Sequence, residues 1–261
     1  MPHSHRKQTI AFSSLPGLFL TIAKTLYQDT FATVSILSLT NLRNQTKDTL
    51  PYWLHETERT TLATFSYEKR HLEWLGGRIC AKQVLHEYLQ KKESSILLPR
   101  HHDYRIAAEE SGRPYFSAIT AVDFVLPELS ISHSKEYATA LCSQYHCGID
   151  IQYPAESLQK VAERFATSRE EKLLNDFLPN LALLSRLAML WAGKEALKKM
   201  LSPTGMPGFQ DITLQEIILK NDKGAIFIFS RNNTTQQTFP VIVGMLDSGY
   251  SLALCCNSPN S

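Results

Sequence analysis

Between residues 181 and 201 the apolar side chains Leu183, Leu187, Leu190, Leu197 and Leu201 recur at the spacing of one α-helical face. Pro203 and Gly205 end the pattern. A helix with one apolar stripe must lay that stripe on another element. The segments that follow are rich in β-branched and aromatic residues and predict strands near 215–220, 225–230, 238–246 and 250–255. An earlier round has the same order. Residues 32–39 predict a strand, 50–65 and 67–90 predict helices, and 111–116, 129–134 and 137–142 predict a turn and strands. Strand, helices, strands therefore occur twice, with the second round opening near Gly148 and continuing through predicted helices at 155–165 and 168–177. That order predicts an α/β (α+β) protein of two halves packed on each other. No sequence repeat accompanies it.

Composition narrows the function classes. A chain of 261 residues can bury a substantial core, and 43% apolar residues suit a globular chain. A net charge of +2 gives no bulk electrostatic reason to expect nucleic acid or a membrane surface as partner. The five cysteines contain no CxxC pair and form neither a disulfide framework nor a zinc pattern, which suits a reducing cytoplasm. Residues 1–31 begin polar and basic and turn apolar, as a signal peptide does, but Pro16 and Gly17 interrupt the apolar run. They are expected to form a poorly ordered extension.

The chemistry-bearing residues lie in three places. On the 181–201 helix, Trp191, Glu195 and Lys199 share one side, with Glu195 and Lys199 at i,i+4 spacing. An isolated pair of this kind is ordinarily a surface ion pair. In Cys147-Gly148-Ile149-Asp150-Ile151-Gln152, alternation puts Asp150 on the face opposite Ile149 and Ile151. An Asp inside a strand has low propensity, so a helix cap, a basic partner or a metal would account for it. Asp150 together with Glu195, without a His/Cys cluster, suits a hard cation such as Mg²⁺. In Ser130-Ile131-Ser132-His133-Ser134, His133 is either structural or one donor to a phosphate. Lys69, Arg70, Arg78 and Lys82 on the 67–90 helix are either a solvated face or a phosphate clamp. Ser168, followed by Glu170 and Glu171, reads as a capped helix start.

Taken in order, these elements resemble the 4′-phosphopantetheinyl transferase superfamily. Gly148-Ile149-Asp150 and Trp191-x-x-Lys194-Glu195-Ala196-x-x-Lys199 match its signature. Gly112-Arg113-Pro114, Ser130 to Ser134 and Arg164-Phe165-Ala166 with Glu170 resemble its other elements, so the likeness covers about 68–201. The resemblance is to the larger monomeric type, named for the surfactin synthetase activator. It implies two similar halves, each an antiparallel-rich sheet packed with helices, related by pseudo-two-fold symmetry. The first half, 32–146, would bind coenzyme A, and the second, 147–261, would hold the metal and the catalytic groups.

The implied reaction moves the phosphopantetheine arm of coenzyme A onto a serine of an apo acyl or peptidyl carrier protein, releasing 3′,5′-ADP. By the match, Asp150 and Glu195 hold Mg²⁺, and Glu195 or a water on the metal takes the serine proton. Lys199 stabilises the departing phosphate. Ser132 and His133 meet the coenzyme's phosphates, Arg113 and Pro114 border its adenine, and Arg78 or Lys82 reaches its 3′-phosphate. The chain departs from the pattern at Gln152, where many members carry a third acid, leaving that ligand position to water. Arg113 replaces a Lys, and Ser130 replaces an Asn. Two other functions compete: a coenzyme A-binding protein of this fold without transferase activity, and an unrelated Mg²⁺-dependent phosphohydrolase. The carrier protein and its pathway are not legible.

Overall fold

The computed structural model describes residues 10–27, 32–43, 50–92, 100–119, 124–221, 224–232 and 237–257. Helix α1 (Gly17–Leu26) precedes β1 (Ala32–Ser38), α2 (Leu39–Arg43), α3 (Leu50–Trp53), α4 (Glu56–Ala63) and the long α5 (Glu68–Lys92). The hairpin β2 (Tyr104–Ala108) and β3 (Pro114–Ala118) follows, then β4 (Glu128–Ser134) and β5 (Tyr137–Ser143). The second round is β6 (Cys147–Gln152), α6 (Glu156–Lys160), α7 (Ser168–Phe177), α8 (Leu183–Leu201) and β7 to β10 (Ile212–Asn221, Gly224–Arg231, Thr238–Met245, Ser251–Cys256).

All of the sheets are antiparallel. One runs β1-β5-β4, the other β6-β10-β9-β8-β7, and β2-β3 stands apart. In each half the opening strand pairs with the closing one: Ser35 opposes Ala140, and Asp150 opposes Ala253. Helix α5 lies on the first sheet, burying Ile79, Cys80, Val84 and Leu85 against Leu129, Ala138 and Ala140. Helix α8 lies on the second, burying Leu190, Ala196 and Leu197 against Leu214, Phe227, Val241 and Ala253. A third apolar cluster joins Ile36 and Leu141 of the first sheet to Ile149, Ile151, Ile242 and Leu254 of the second.

Of the extension expected over 1–31, residues 1–9 and 28–31 lie outside the described residues, and 10–27 pack on the fold. Phe19, Ile22 and Tyr27 are buried in this third cluster, the Tyr27 hydroxyl donates to Pro240 O at 2.9 Å, and Ser13 bridges to Ile36. The polar start had masked an amphipathic segment that covers the junction of the halves. Two predicted helices are also divided. His55 accepts from Thr57 N–H and starts α4 afresh, so 50–65 splits. Residues 155–165 form α6 and a 3₁₀ turn at Ala162–Arg164. The cap of α7 is Thr167 rather than Ser168, because Thr167 and Glu170 close the reciprocal capping box.

Where the two sheets meet, β4 and β6 are both edge strands, and serines join them. Ser130, Ser132 and Ser134 accept the N–H groups of Ile149, Ile151 and Tyr153 at 3.0, 3.3 and 3.1 Å. Hydroxyls thus satisfy a strand edge that would otherwise be left open. On the other side of β6, Gly148 allows contact with α8. A methyl there would stand 1.8 Å from Ala196 O, so only glycine lets the strand and the helix approach this closely.

Candidate active site

The close approach at Gly148 sets Asp150 of β6 against the last turns of α8. The Lys199 ammonium donates to Asp150 Oδ1 at 2.8 Å and to Ile149 O at 2.9 Å. From the first half, the Ser132 hydroxyl donates to the same Oδ1 at 2.7 Å. Asp150 is 6% exposed, and its Oδ2 is buried without a hydrogen-bond partner. Burial pushes the Asp150 carboxyl up, Lys199 and Ser132 pull it back, and the field of Glu195 raises it further. Lys199 and Lys198 balance the charges of Asp150 and Glu195, but the bare Asp150 Oδ2 beside a second carboxylate remains as an oxygen donor, the kind of ligand Mg²⁺ takes.

Glu195 does not pair with Lys199, its i,i+4 neighbour. Its Oε1 accepts from Lys198 at 2.9 Å, and Lys198 in turn lies over the Phe209 ring at 3.9 Å. Sequence reasoning passed over Lys198, although its i,i+3 spacing from Glu195 was visible. Gln152 is half-buried at the end of β6 and donates to Tyr153 O at 2.8 Å.

The other elements of the signature are structural. Lys194 is 1% exposed and donates to Glu170 Oε1 at 2.8 Å, to Phe165 O at 2.7 Å and to Phe209 O at 3.3 Å. Glu170 also caps α7 and accepts Leu214 N–H at 2.8 Å. Burial lowers the Lys194 pKa while Glu170 opposes the shift. Trp191 packs edge-on to Phe165 and lies 4.5 Å from Phe209. These contacts hold α8 in place, so that Glu195 and Lys199 project where β6 presents Asp150.

From the first half, His133 lies on the α5 face of β4, opposite the serines. Its Nδ1 is 3.7 Å from Glu73 Oε1. Burial lowers its pKa, Glu73 opposes this, and the fields of Arg70, Lys199 and Asp150 reach it. Arg70 was legible only as one of four bases on its helix, and Glu73 had no local signal, because β4 and α5 are far apart in sequence. Beside them, a hollow of about 100 Å³ is bordered by Arg43, Lys69 and Lys135.

Arg113 is anchored rather than free. It pairs with Glu128 of β4 and its Nη2 is 3.1 Å from His146 Nδ1, which ties the β2–β3 hairpin to β4, with Pro114 half-buried beside it. Arg78 stacks over Trp74 at 3.8 Å with a buried, unpartnered Nε. Burial lowers its pKa to about 10. Lys82 does not suit the expected 3′-phosphate contact. It is 2% exposed, pairs with Glu58 and donates to Tyr104 O at 2.6 Å, so its ammonium faces the core.

With this geometry in view, the comparisons with known proteins bear directly on the second half. Residues 146–255 match the model of the 4′-phosphopantetheinyl transferase superfamily. This part of the chain is similar to that superfamily, and the chain spans little more than half the length of two of the curated relatives it matches. The match spans Asp150, Glu195 and Lys199 and the buried Glu170–Lys194 pair. Among curated proteins, the chain is 37% identical over 76 residues to a holo-[acyl-carrier-protein] synthase of Bacillus pumilus (strain SAFR-032). That alignment covers 28% of this chain and 58% of the relative. A synthase of the same description from Shouchella clausii (strain KSM-K16) is 39% identical over 72 residues, covering 27% and 57%. One from Acholeplasma laidlawii (strain PG-8A) is 29% identical over 87 residues, covering 33% and 70%. No helix among the described residues is long and apolar enough to cross a membrane.

Proposed function

We propose that this protein transfers the 4′-phosphopantetheine arm of coenzyme A to a serine of an apo carrier protein, with Mg²⁺, and releases 3′,5′-ADP. One observation carries the reading: Asp150 Oδ2 is buried and unpartnered beside Glu195 and Lys199, within the stretch that matches the superfamily. The curated relatives named holo-[acyl-carrier-protein] synthase support the choice of acceptor. In the reaction, the carrier serine oxygen bonds to the phosphorus that carries the pantetheine arm, and the bond from that phosphorus to the departing 3′,5′-ADP breaks.

Asp150 and Glu195 would hold the Mg²⁺, which when bound neutralises phosphate charge and aligns the pyrophosphate. Glu195, once released from Lys198, accepts the serine proton. Lys199 holds Asp150 and offers positive charge where the phosphate departs. His133, with Arg70 nearby, lies on the side from which the coenzyme's phosphates would approach. Arg78 remains as the α5 cation for the 3′-phosphate. Gln152, held by Tyr153 O, leaves a coordination position to water. Placement in a reducing cytoplasm and action as a monomer belong to the same reading; all five cysteines are free and buried.

The test is incubation with coenzyme A, Mg²⁺ and a panel of apo acyl and peptidyl carrier proteins, read by mass spectrometry. The expected result is a phosphopantetheine mass gain on one carrier serine with stoichiometric 3′,5′-ADP. Coenzyme binding without any mass gain would make the chain a non-transferring binder. Phosphate release without a carrier would make it a phosphohydrolase.

A further inference from the structure

Three serines of β4 do the same structural work, but one of them does more. Ser130, Ser132 and Ser134 each accept a backbone N–H from the β6 side. Ser132 alone, among these contacts, also donates to a carboxylate. A hydroxyl has one proton to give and two lone pairs. The Ser132 proton is committed to Asp150 Oδ1, one lone pair is committed to Ile151 N–H, and the residue is 6% exposed. Lys199 approaches the same Oδ1 from α8. Two donors therefore converge on one carboxylate oxygen and leave the other, Oδ2, buried and bare. With both donors in place the carboxylate cannot turn to exchange its oxygens without losing two hydrogen bonds.

We infer that Ser132 is a positioning residue of the cation site: it locks Asp150 so that Oδ2 alone faces the ion. This rests on the proposed divalent cation at Asp150. It joins the halves functionally, because a first-half side chain sets the orientation of a second-half ligand. A hydrogen bond behind a metal ligand of this kind commonly changes metal affinity by tenfold or more.

The experiment measures Mn²⁺ binding by electron paramagnetic resonance, with coenzyme A at a fixed saturating concentration. Coenzyme A affinity is measured separately by calorimetry in chelator. Ser132→Ala is expected to weaken Mn²⁺ by about tenfold with coenzyme affinity unchanged. Ser132→Thr, which keeps the hydroxyl, restores Mn²⁺ binding and serves if the alanine variant does not fold. Ser130→Ala and Ser134→Ala lose the same kind of strand contact and lower thermal stability, but keep wild-type Mn²⁺ affinity. Wild-type Mn²⁺ affinity in Ser132→Ala overturns the inference. So does a loss of coenzyme affinity in that variant with Mn²⁺ unaffected. Asp150→Ala separates the two levels: if it binds Mn²⁺ as wild type does, the cation site itself is misplaced, and the carrier mass assay then judges the transferase reading independently.

Discussion

The two halves share a frame and differ in what they hang on it. In the first, Glu58 caps α4, accepts Ile106 N–H at 2.9 Å and pairs with the buried Lys82. In the second, Glu170 caps α7, accepts Leu214 N–H at 2.8 Å and pairs with the buried Lys194. Each donating N–H belongs to the third residue of the strand after the long helix, and in each half a 3₁₀ turn capped by an Asp (Asp103, Asp211) precedes that strand. His101 stacks on His86 and packs at a tilt against Trp53 in one half; Phe209 lies against Trp191 and under Lys198 in the other. The strand–helix contact is also repeated. Thr33 donates to Val84 O where Gly148 lies against Ala196 O. Two residues on, the first half carries Ser35, bonded to Cys80 O, and the second carries Asp150. Counted from the buried lysine, Gln83 and Glu87 stand where Glu195 and Lys199 stand. The lesson is that the Glu–Lys staple belongs to the fold, while the acidic site is an addition made in one half only.

The largest effect should fall on that asymmetry. Asp150→Ala and Glu195→Gln are each expected to lower transfer by at least about a hundredfold while the circular dichroism spectrum stays native. Ser35→Ala and Gln83→Ala, their counterparts, should leave the rate near wild type, with Ser35→Ala costing about 1 kcal/mol of stability. Near-normal turnover in a folded Asp150 or Glu195 variant would remove the difference between the halves.

The shared frame predicts equal losses. Lys82→Met and Lys194→Met each strand a buried glutamate, and each should cost about 3–5 kcal/mol in urea unfolding. A cost in one half alone would mean that the staples are alike in geometry only.

A smaller effect separates the halves by pH. Burial, aided by the fields of His86 and Lys82, lowers the His101 pKa from 6.5 to about 3. Between those values the unfolded chain binds a proton that the folded chain refuses, so stability contributed by neutral His101 is lost as pH falls from 6.5 towards 3. Phe209 occupies the corresponding place without a titrating group. Thermal melts of His101→Phe should therefore show a shallower decline than wild type across that window, and parallel curves would reject the cause.

The smallest effect is expected at Gln152. Its amide is spent on Tyr153 O, so Gln152→Ala should reduce transfer far less than Asp150→Ala does in the same assay, and Gln152→Glu should keep activity. An equally deep loss would assign the amide a role that its contacts do not explain.

Local chemistry determined a good deal by itself. The strands at 32–38, 137–143 and 147–152 and the helix α8 were legible because each carries its own period and its own stop signals. Asp150 stood out because a carboxylate in a strand breaks the local pattern around it, whereas Glu195 stood out by its place beside Trp191 and Lys199 in the matched signature. Tertiary structure decided the rest. The staples were hidden because Glu58 and Lys82, or Glu170 and Lys194, sit on different helices with only ordinary surface-residue identities to mark them. The N-terminal helix gained order only from the apolar seam between the sheets. The bond from Ser132 to Asp150 became visible only when β6 was placed beside β4. Burial and pairing depend on what arrives from elsewhere in the chain, and neither period nor propensity carries that information.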